Sequence, residues 1–378
     1  MSPSPAGAAD GQRSRRGWGV VTVRRVVAGA AAAAAAGAAG YAANRLFRRR
    51  AVERGLRSLA HPLPQGPTDA KRPAQGDELE LPGDVVHHYV DVRDGGRVHV
   101  VERGNGPEIV LLHGAGLSAG VWAYQFRDLT DRFRLVALDL RGHGESRPGS
   151  DGMTIKAMVD DLVHVLMSLD LRPALLVGHS LGGMTVLRFA RQYPQLVAER
   201  VASVMLLSTA AGVVPNVAPW NRLGTLAGRA AVAAGGVVAR SGRAGLPEGE
   251  IGRAFCRAGF GVAPSAPQIK AVLRMMRAAD PGLLAGLVPE LMAFDERAAF
   301  EEMSIPVTVV VGDRDRVTRP ALARQLAETL GGAHVVVWPG GGHMLMYERR
   351  EALDWLIKRL ASAPEAAMSG SKGAGRGR

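Results

Sequence analysis

Residues 173–183 read Pro-Ala-Leu-Leu-Val-Gly-His-Ser-Leu-Gly-Gly. A short, continuous apolar run of this kind suits a strand buried on both faces of a parallel sheet. After it, Val186, Leu187, Ala190 and Tyr193 recur at helical spacing. The reading is therefore strand, sharp turn, helix, with Ser180 in the turn. The pattern Gly178-x-Ser180-x-Gly182 supplies small residues two places either side of the serine, where a strained turn has no room for a side chain. Such a turn lifts the hydroxyl above the sheet and points a helix N-terminus at it.

Working outward, the same strand signal recurs at 108–113, 134–139, 201–207, 307–312 and 334–338. Residues 85–92 and 97–102 are rich in β-branched residues and are joined by Asp94-Gly95-Gly96, a hairpin signal. Between the runs, Met158, Leu162, Val165, Leu166 and Leu169 fall on one helical stripe. Thr318 is placed to cap a helix running through Leu330, with Gly331 just past its end. A last helix is expected over 348–360. Alternating β and α argues for an α/β fold, a mostly parallel sheet with helices on both faces. Residues 212–300 interrupt the alternation with helix-compatible sequence and are read as a helical lid over the carboxyl edge of the sheet, where α/β ligands bind.

Composition bounds the rest. Apolar residues are 47% and charged residues 22%, which excludes global disorder. The single Cys256 excludes an internal disulfide and a cysteine-based zinc cluster, and is read as a small buried apolar residue of the lid. The net charge of +12 resides in the tails: residues 1–57 carry +9, residues 366–378 carry +3, and residues 58–365 balance at zero. A neutral globular part with basic ends argues against nucleic acid as a partner and toward a membrane surface or a role in solubility.

Residues 26–43 contain 12 Ala, three Gly, two Val and Tyr41, without a charge. As a helix they would span about 27 Å, slightly short of the hydrocarbon core. Three readings stand: a marginal membrane anchor, an export signal with the Arg15-Arg16 pair ahead of it, or an Ala-rich extension without fixed structure. The expected localisation is accordingly membrane-associated or cytoplasmic, with export disfavoured by the arginines after the run. The expected organisation is a basic segment at 1–57, a linker at 58–83, core at 84–211, lid at 212–300, core at 301–365 and a basic tail at 366–378.

Five segments in order resemble the α/β-hydrolase superfamily, and the resemblance covers residues 84–362. They are the serine turn, His113-Gly-Ala-Gly116, the stretch from Asp139 to Ser146, Gly312-Asp-Arg-Asp315 and Gly340-Gly-Gly-His343. The resemblance implies Ser180 as nucleophile, Asp315 as acid and His343 as base, in the family's chain order. It assigns the oxyanion donors to the backbone N–H groups of Ala115 and Leu181. The chemistry agrees: a serine hydroxyl needs an adjacent base, and that histidine needs a carboxylate to fix its tautomer.

Asp313 is a rival for the acid, two residues away in the same turn, and the family's spacing favours Asp315. His143 and His179 match structural positions of the family, and His113 is expected to shape the oxyanion loop. His87, His88, His99 and His164 show no metal-ligand spacing, and neither a metal nor a cofactor is expected. Epoxide hydrolases and haloalkane dehalogenases of this fold place aspartate where this chain has Ser180. The resemblance therefore implies a serine esterase or lipase acting on a small-molecule ester. A lid containing Met275, Met276 and Met292 would suit a flexible acyl chain. Acyl transfer, carbon–carbon bond hydrolysis, haloperoxidase-like perhydrolysis and a non-enzymatic binding role remain as alternatives. Oligomeric state has no signature in the sequence.

Overall fold

The computed structural model describes residues 79–212, 250–297, 305–331 and 333–369. Eight strands form one sheet: β1 Val86–Asp91, β2 Arg97–Arg103, β3 Glu108–Leu112, β4 Arg134–Leu138, β5 Ala174–His179, β6 Val201–Leu207, β7 Val307–Gly312 and β8 His334–Trp338. Their order is β1-β2-β4-β3-β5-β6-β7-β8. The hairpin β1–β2 and the β2–β4 pair are antiparallel, and every later pair is parallel. All eight strands lie where the apolar runs and the hairpin signal put them.

The central strands are apolar on both sides because both sides are covered. In β3, Val110 and Leu112 face one core while Ile109 and Leu111 face the other. The first core takes the stripe Met158, Leu162, Val165 and Leu166 from the helix Ile155–Ser168, which begins where the Thr154 hydroxyl accepts from the Ala157 N–H at 3.2 Å. Each such side chain contributes about 1.5–3 kcal/mol by leaving water. The opposite core takes Leu353, Leu356, Ile357 and Leu360 from the helix Arg350–Ser369.

Two local expectations are corrected. The helix after β7 spans Pro320–Thr329 and has no side-chain cap, because Pro320 fixes its first turn and the Thr318 hydroxyl bonds Asp315 instead. Gly331 does follow it, at φ +67°. The expected helix at 348–360 is two helices, Leu345–Glu348 and Arg350–Ser369, separated at Arg349 (φ −135°, ψ 42°).

Among the described residues between β6 and β7 lie the helices Glu250–Ala258, Ala266–Ala278 and Leu283–Ala293. Ser265 and Gln268 close a capping box on the second. The insertion meets loops that leave the carboxyl ends of the strands: the Asp280 N–H donates to the Gly142 carbonyl at 2.8 Å, and the Gly259 carbonyl accepts from the His343 N–H at 2.8 Å. The segment 26–43, the linker up to residue 78 and the tail from 370 lie outside the described residues. Among the described residues, no helix is long and apolar enough to cross a membrane.

Candidate active site

Ser180 sits between the end of β5 and the helix Leu181–Gln192 with φ 50° and ψ −113°. This is the left-handed half of backbone space, where a residue with a side chain is strained by about 1–3 kcal/mol. Surrounding bonds hold it there. The Ser180 N–H donates to the Leu207 carbonyl at 3.0 Å, and its own carbonyl accepts from the Thr209 hydroxyl at 2.7 Å. The flanking glycines are required by contact. A Cβ at Gly182 would lie 2.4 Å from the Leu112 carbonyl oxygen, and one at Gly178 would lie 2.7 Å from the Gly182 carbonyl oxygen.

His343 and Asp315 meet across the loops after β8 and β7. His343 Nδ1 is 3.0 Å from Asp315 Oδ2. A carboxylate only accepts, so Nδ1 carries the proton and Nε2 is left as the basic nitrogen. The other oxygen, Oδ1, accepts the N–H groups of Val317 at 2.8 Å and Thr318 at 2.9 Å, and the Thr318 hydroxyl donates to Oδ2 at 2.9 Å. Burial pushes the Asp315 pKa up, but the adjacent His343 and the Thr318 bonds outweigh it, and the net direction is down. Asp313 is turned elsewhere: its Oδ1 accepts the Gly340 N–H at 2.6 Å.

The histidine loop is bound to the serine turn and to the insertion. His179 Nε2 lies 2.9 Å from the His343 carbonyl oxygen, and the two rings are 4.8 Å apart. Glu348, buried, accepts the N–H groups of Gly261 at 2.7 Å, Val262 at 3.3 Å, Gly342 at 3.0 Å and Met344 at 3.1 Å. Burial raises the pKa of Glu348 above the usual glutamate range despite these donors. Neither Glu348 nor Thr318 was recognisable as part of this site from the sequence: Thr318 fits a helix cap equally well, and Glu348 binds backbone N–H groups, which leave no side-chain signature.

The loop after β3 faces Ser180. A Cβ at Gly114 would stand 3.1 Å from that of Ser180. Two buried histidines shape this loop. His113 Nδ1 lies 2.8 Å from the Gly114 carbonyl oxygen and its Nε2 accepts the Leu140 N–H at 2.9 Å. His143 Nε2 accepts the Gly116 N–H at 2.9 Å. Burial lowers the pKa of both, that of His143 to about 3, so neither carries charge near neutrality. Leu181 is the first residue of its helix, and its N–H, like that of Ala115, meets no protein acceptor among the described residues. Above the loop, a Cβ at Gly116 would lie 3.2 Å from the Met276 methyl, which places the helix Ala266–Ala278 against it. Cys256 is buried in the insertion, as its composition-based reading expected.

The structure thus brings His343 and Asp315 into contact and sets Ser180 in the strained turn that the glycine pattern calls for. Among solved structures, a thermophilic esterase from Thermogutta terrifontis is 26% identical, with 72% of this chain and 97% of that one covered and a TM-score of 0.59. An enol-lactonase from Burkholderia xenovorans LB400 is 25% identical, covering 73% of this chain and 100% of that one, again with a TM-score of 0.59. The bifunctional epoxide hydrolase 2 of Sus scrofa is 37% identical over 144 residues, which is 37% of this chain but 25% of that protein. The profile of the alpha/beta hydrolase fold matches residues 107–350. With this match spanning the serine turn, the acid turn and the histidine loop, the chain belongs to the α/β-hydrolase family.

Proposed function

We propose that the chain is a serine hydrolase that cleaves a carboxylic ester through an acyl-enzyme formed on Ser180. The observation that carries this reading is the strained turn of Ser180 (φ 50°) together with a His343 imidazole whose tautomer is fixed by Asp315 at 3.0 Å. In the first half-reaction the Ser180 hydroxyl attacks the ester carbonyl carbon while His343 Nε2 takes its proton. The carbonyl oxygen becomes an oxyanion beside the Ala115 and Leu181 N–H groups, both free to donate. The intermediate collapses, and the alcohol leaves with the proton from His343. Water then attacks the acyl carbon, His343 takes and returns a proton again, and the carboxylic acid departs. Asp315 stays ionised throughout and stabilises the imidazolium.

Serine at the nucleophile position separates this reading from epoxide opening, which on this fold uses an aspartate to form an alkyl–enzyme ester. The similarity to the pig epoxide hydrolase is thus taken as a likeness of the scaffold. The neighbours described as an esterase and an enol-lactonase support this reading of acyl transfer to water. The insertion, read as a lid, favours an apolar acyl group, since Met276 packs at Gly116 and a Cβ at Gly120 would lie 3.8 Å from the Met275 sulfur. Full-length protein assayed against p-nitrophenyl esters from acetate to palmitate tests the reading. Turnover that rises from acetate to medium chains and vanishes in Ser180→Ala is expected. Absence of turnover on every ester, or turnover that survives in Ser180→Ala, overturns it.

A further inference from the structure

We propose that His87, His99 and Glu145 form a binding site for a divalent transition metal, Zn²⁺ by its ligand chemistry, on the β1–β2 hairpin. The three residues are 12 and 46 positions apart in the chain, and only the fold brings them together. The hairpin register pairs Tyr89 with His99 and His87 with Val101, so His87 is the diagonal neighbour of His99 on one face. His87 Nδ1 stands 2.8 Å from His99 Nε2, and the rings are stacked at 5.1 Å. One ligand atom from each histidine and a carboxylate oxygen of Glu145 all lie within 4.8 Å of one another.

Partners behind the ligands aim them. His99 Nδ1 is 2.7 Å from Asp139 Oδ2. Because the carboxylate accepts, the proton sits on Nδ1, and the lone pair of Nε2 faces His87 and Glu145. Asp139 is itself pinned by the N–H groups of Ala119 at 2.6 Å and Glu145 at 2.9 Å. The Tyr89 hydroxyl donates to Glu145 Oε2 at 2.6 Å. A buried carboxylate behind a ligand histidine, and a hydroxyl on the ligand carboxylate, are the supports that set tautomer and orientation in metal sites.

His99 is buried while His87 and Glu145 are exposed, so an ion has a route from solvent and water can supply a fourth ligand. Two nitrogens bound at about 2.0–2.1 Å on a tetrahedral ion are about 3.3 Å apart, so the pair needs to open by only about half an ångström. The exposed His87 can yield that distance, carrying its proton on Nε2 and giving Nδ1 to the ion. Two imidazoles and one carboxylate favour Zn²⁺ over Mg²⁺ or Ca²⁺, which take oxygen ligands. The bound ion would tie the hairpin to the loop after β4.

The test uses full-length protein stripped with chelator and dialysed against ZnCl₂, with His87→Ala, Glu145→Gln and the double variant alongside. The wild type is expected to bind one more zinc per chain than the double variant. Each single variant is expected to bind at least about tenfold more weakly. Zinc should raise the Tm of the wild type and leave that of the double variant unchanged, while all four proteins melt alike in chelator. Both substituted residues are at the surface, so the melts in chelator confirm folding. Equal zinc stoichiometry, affinity and Tm response in the wild type and the double variant would overturn the site. MgCl₂ in place of ZnCl₂ should produce no shift, and an equal shift with magnesium would overturn the assignment to a transition metal.

Discussion

Ser180 keeps a side chain where only glycine rests easily, at φ 50° and ψ −113°. Replacing it by glycine removes that strain and should raise stability by about 1 kcal/mol while abolishing turnover, since the gain of 1–3 kcal/mol is partly offset by the entropy of glycine in the unfolded chain. Urea denaturation of Ser180→Gly beside the wild type checks this, and a loss of stability would mean that the Ser180 side chain itself contributes to the fold. The acid is testable in the same way. Asp315→Asn puts an amide against His343 Nδ1, favours the wrong tautomer and should cost about 10⁴ in kcat. Asp313→Asn, whose carboxylate bonds only the Gly340 N–H among the described residues, should cost less than tenfold. If steady-state kinetics rank the two the other way round, the acid is Asp313.

At the scale of elements, the serine turn and the histidine loop are each held by contacts that tolerate little change. A Cβ on Gly182 would meet the backbone of β3 at 2.4 Å, and backbone cannot swing aside as a side chain does. Gly182→Ala should therefore destabilise by about 1–3 kcal/mol or more, read as a drop in the urea midpoint. Glu348→Gln substitutes an NH₂ group for one acceptor oxygen facing four N–H donors. It should destabilise by about 1–3 kcal/mol for the donor left unmet and lower kcat, because Gly342 and Met344 flank His343. Unchanged kcat in folded Glu348→Gln would show that the loop is held by other contacts. These elements also show what a sequence reveals. The strands and the serine turn were legible because burial on both faces and the need for small residues leave marks in composition. Asp315 was separable from Asp313 only through family spacing, since both are carboxylates in one turn. Thr318 read as a helix cap because a threonine just ahead of a helix fits the rule for caps, whereas its hydroxyl turns back to Asp315, three residues earlier. Glu348 gave no signal at all: its donors are backbone N–H groups, near in the chain at Gly342 and Met344 and 87 residues away at Gly261, and none has a side-chain signature.

Across the whole molecule, burial lowers the pKa values of His113, His143 and His179 in the folded state. Unfolded, these groups titrate near 6.5. Between about pH 6.5 and the folded values the unfolded chain binds more protons, so stability falls as pH falls, by about 1.4 kcal/mol per pH unit for each histidine. His143→Gln, which keeps an acceptor for Gly116, should flatten this slope by one histidine's share between pH 6 and pH 4.5. Urea denaturation across that range checks it, and an unchanged slope would mean that His143 is charged in the fold. The central claim concerns a single atom, the Ser180 hydroxyl oxygen. A fluorophosphonate probe applied to full-length folded protein, followed by peptide mapping, tests it most directly. The account predicts one adduct per chain on Ser180, lost when His343 is replaced by alanine. Folded protein that remains unlabelled, or that carries the adduct on another residue, would contradict it.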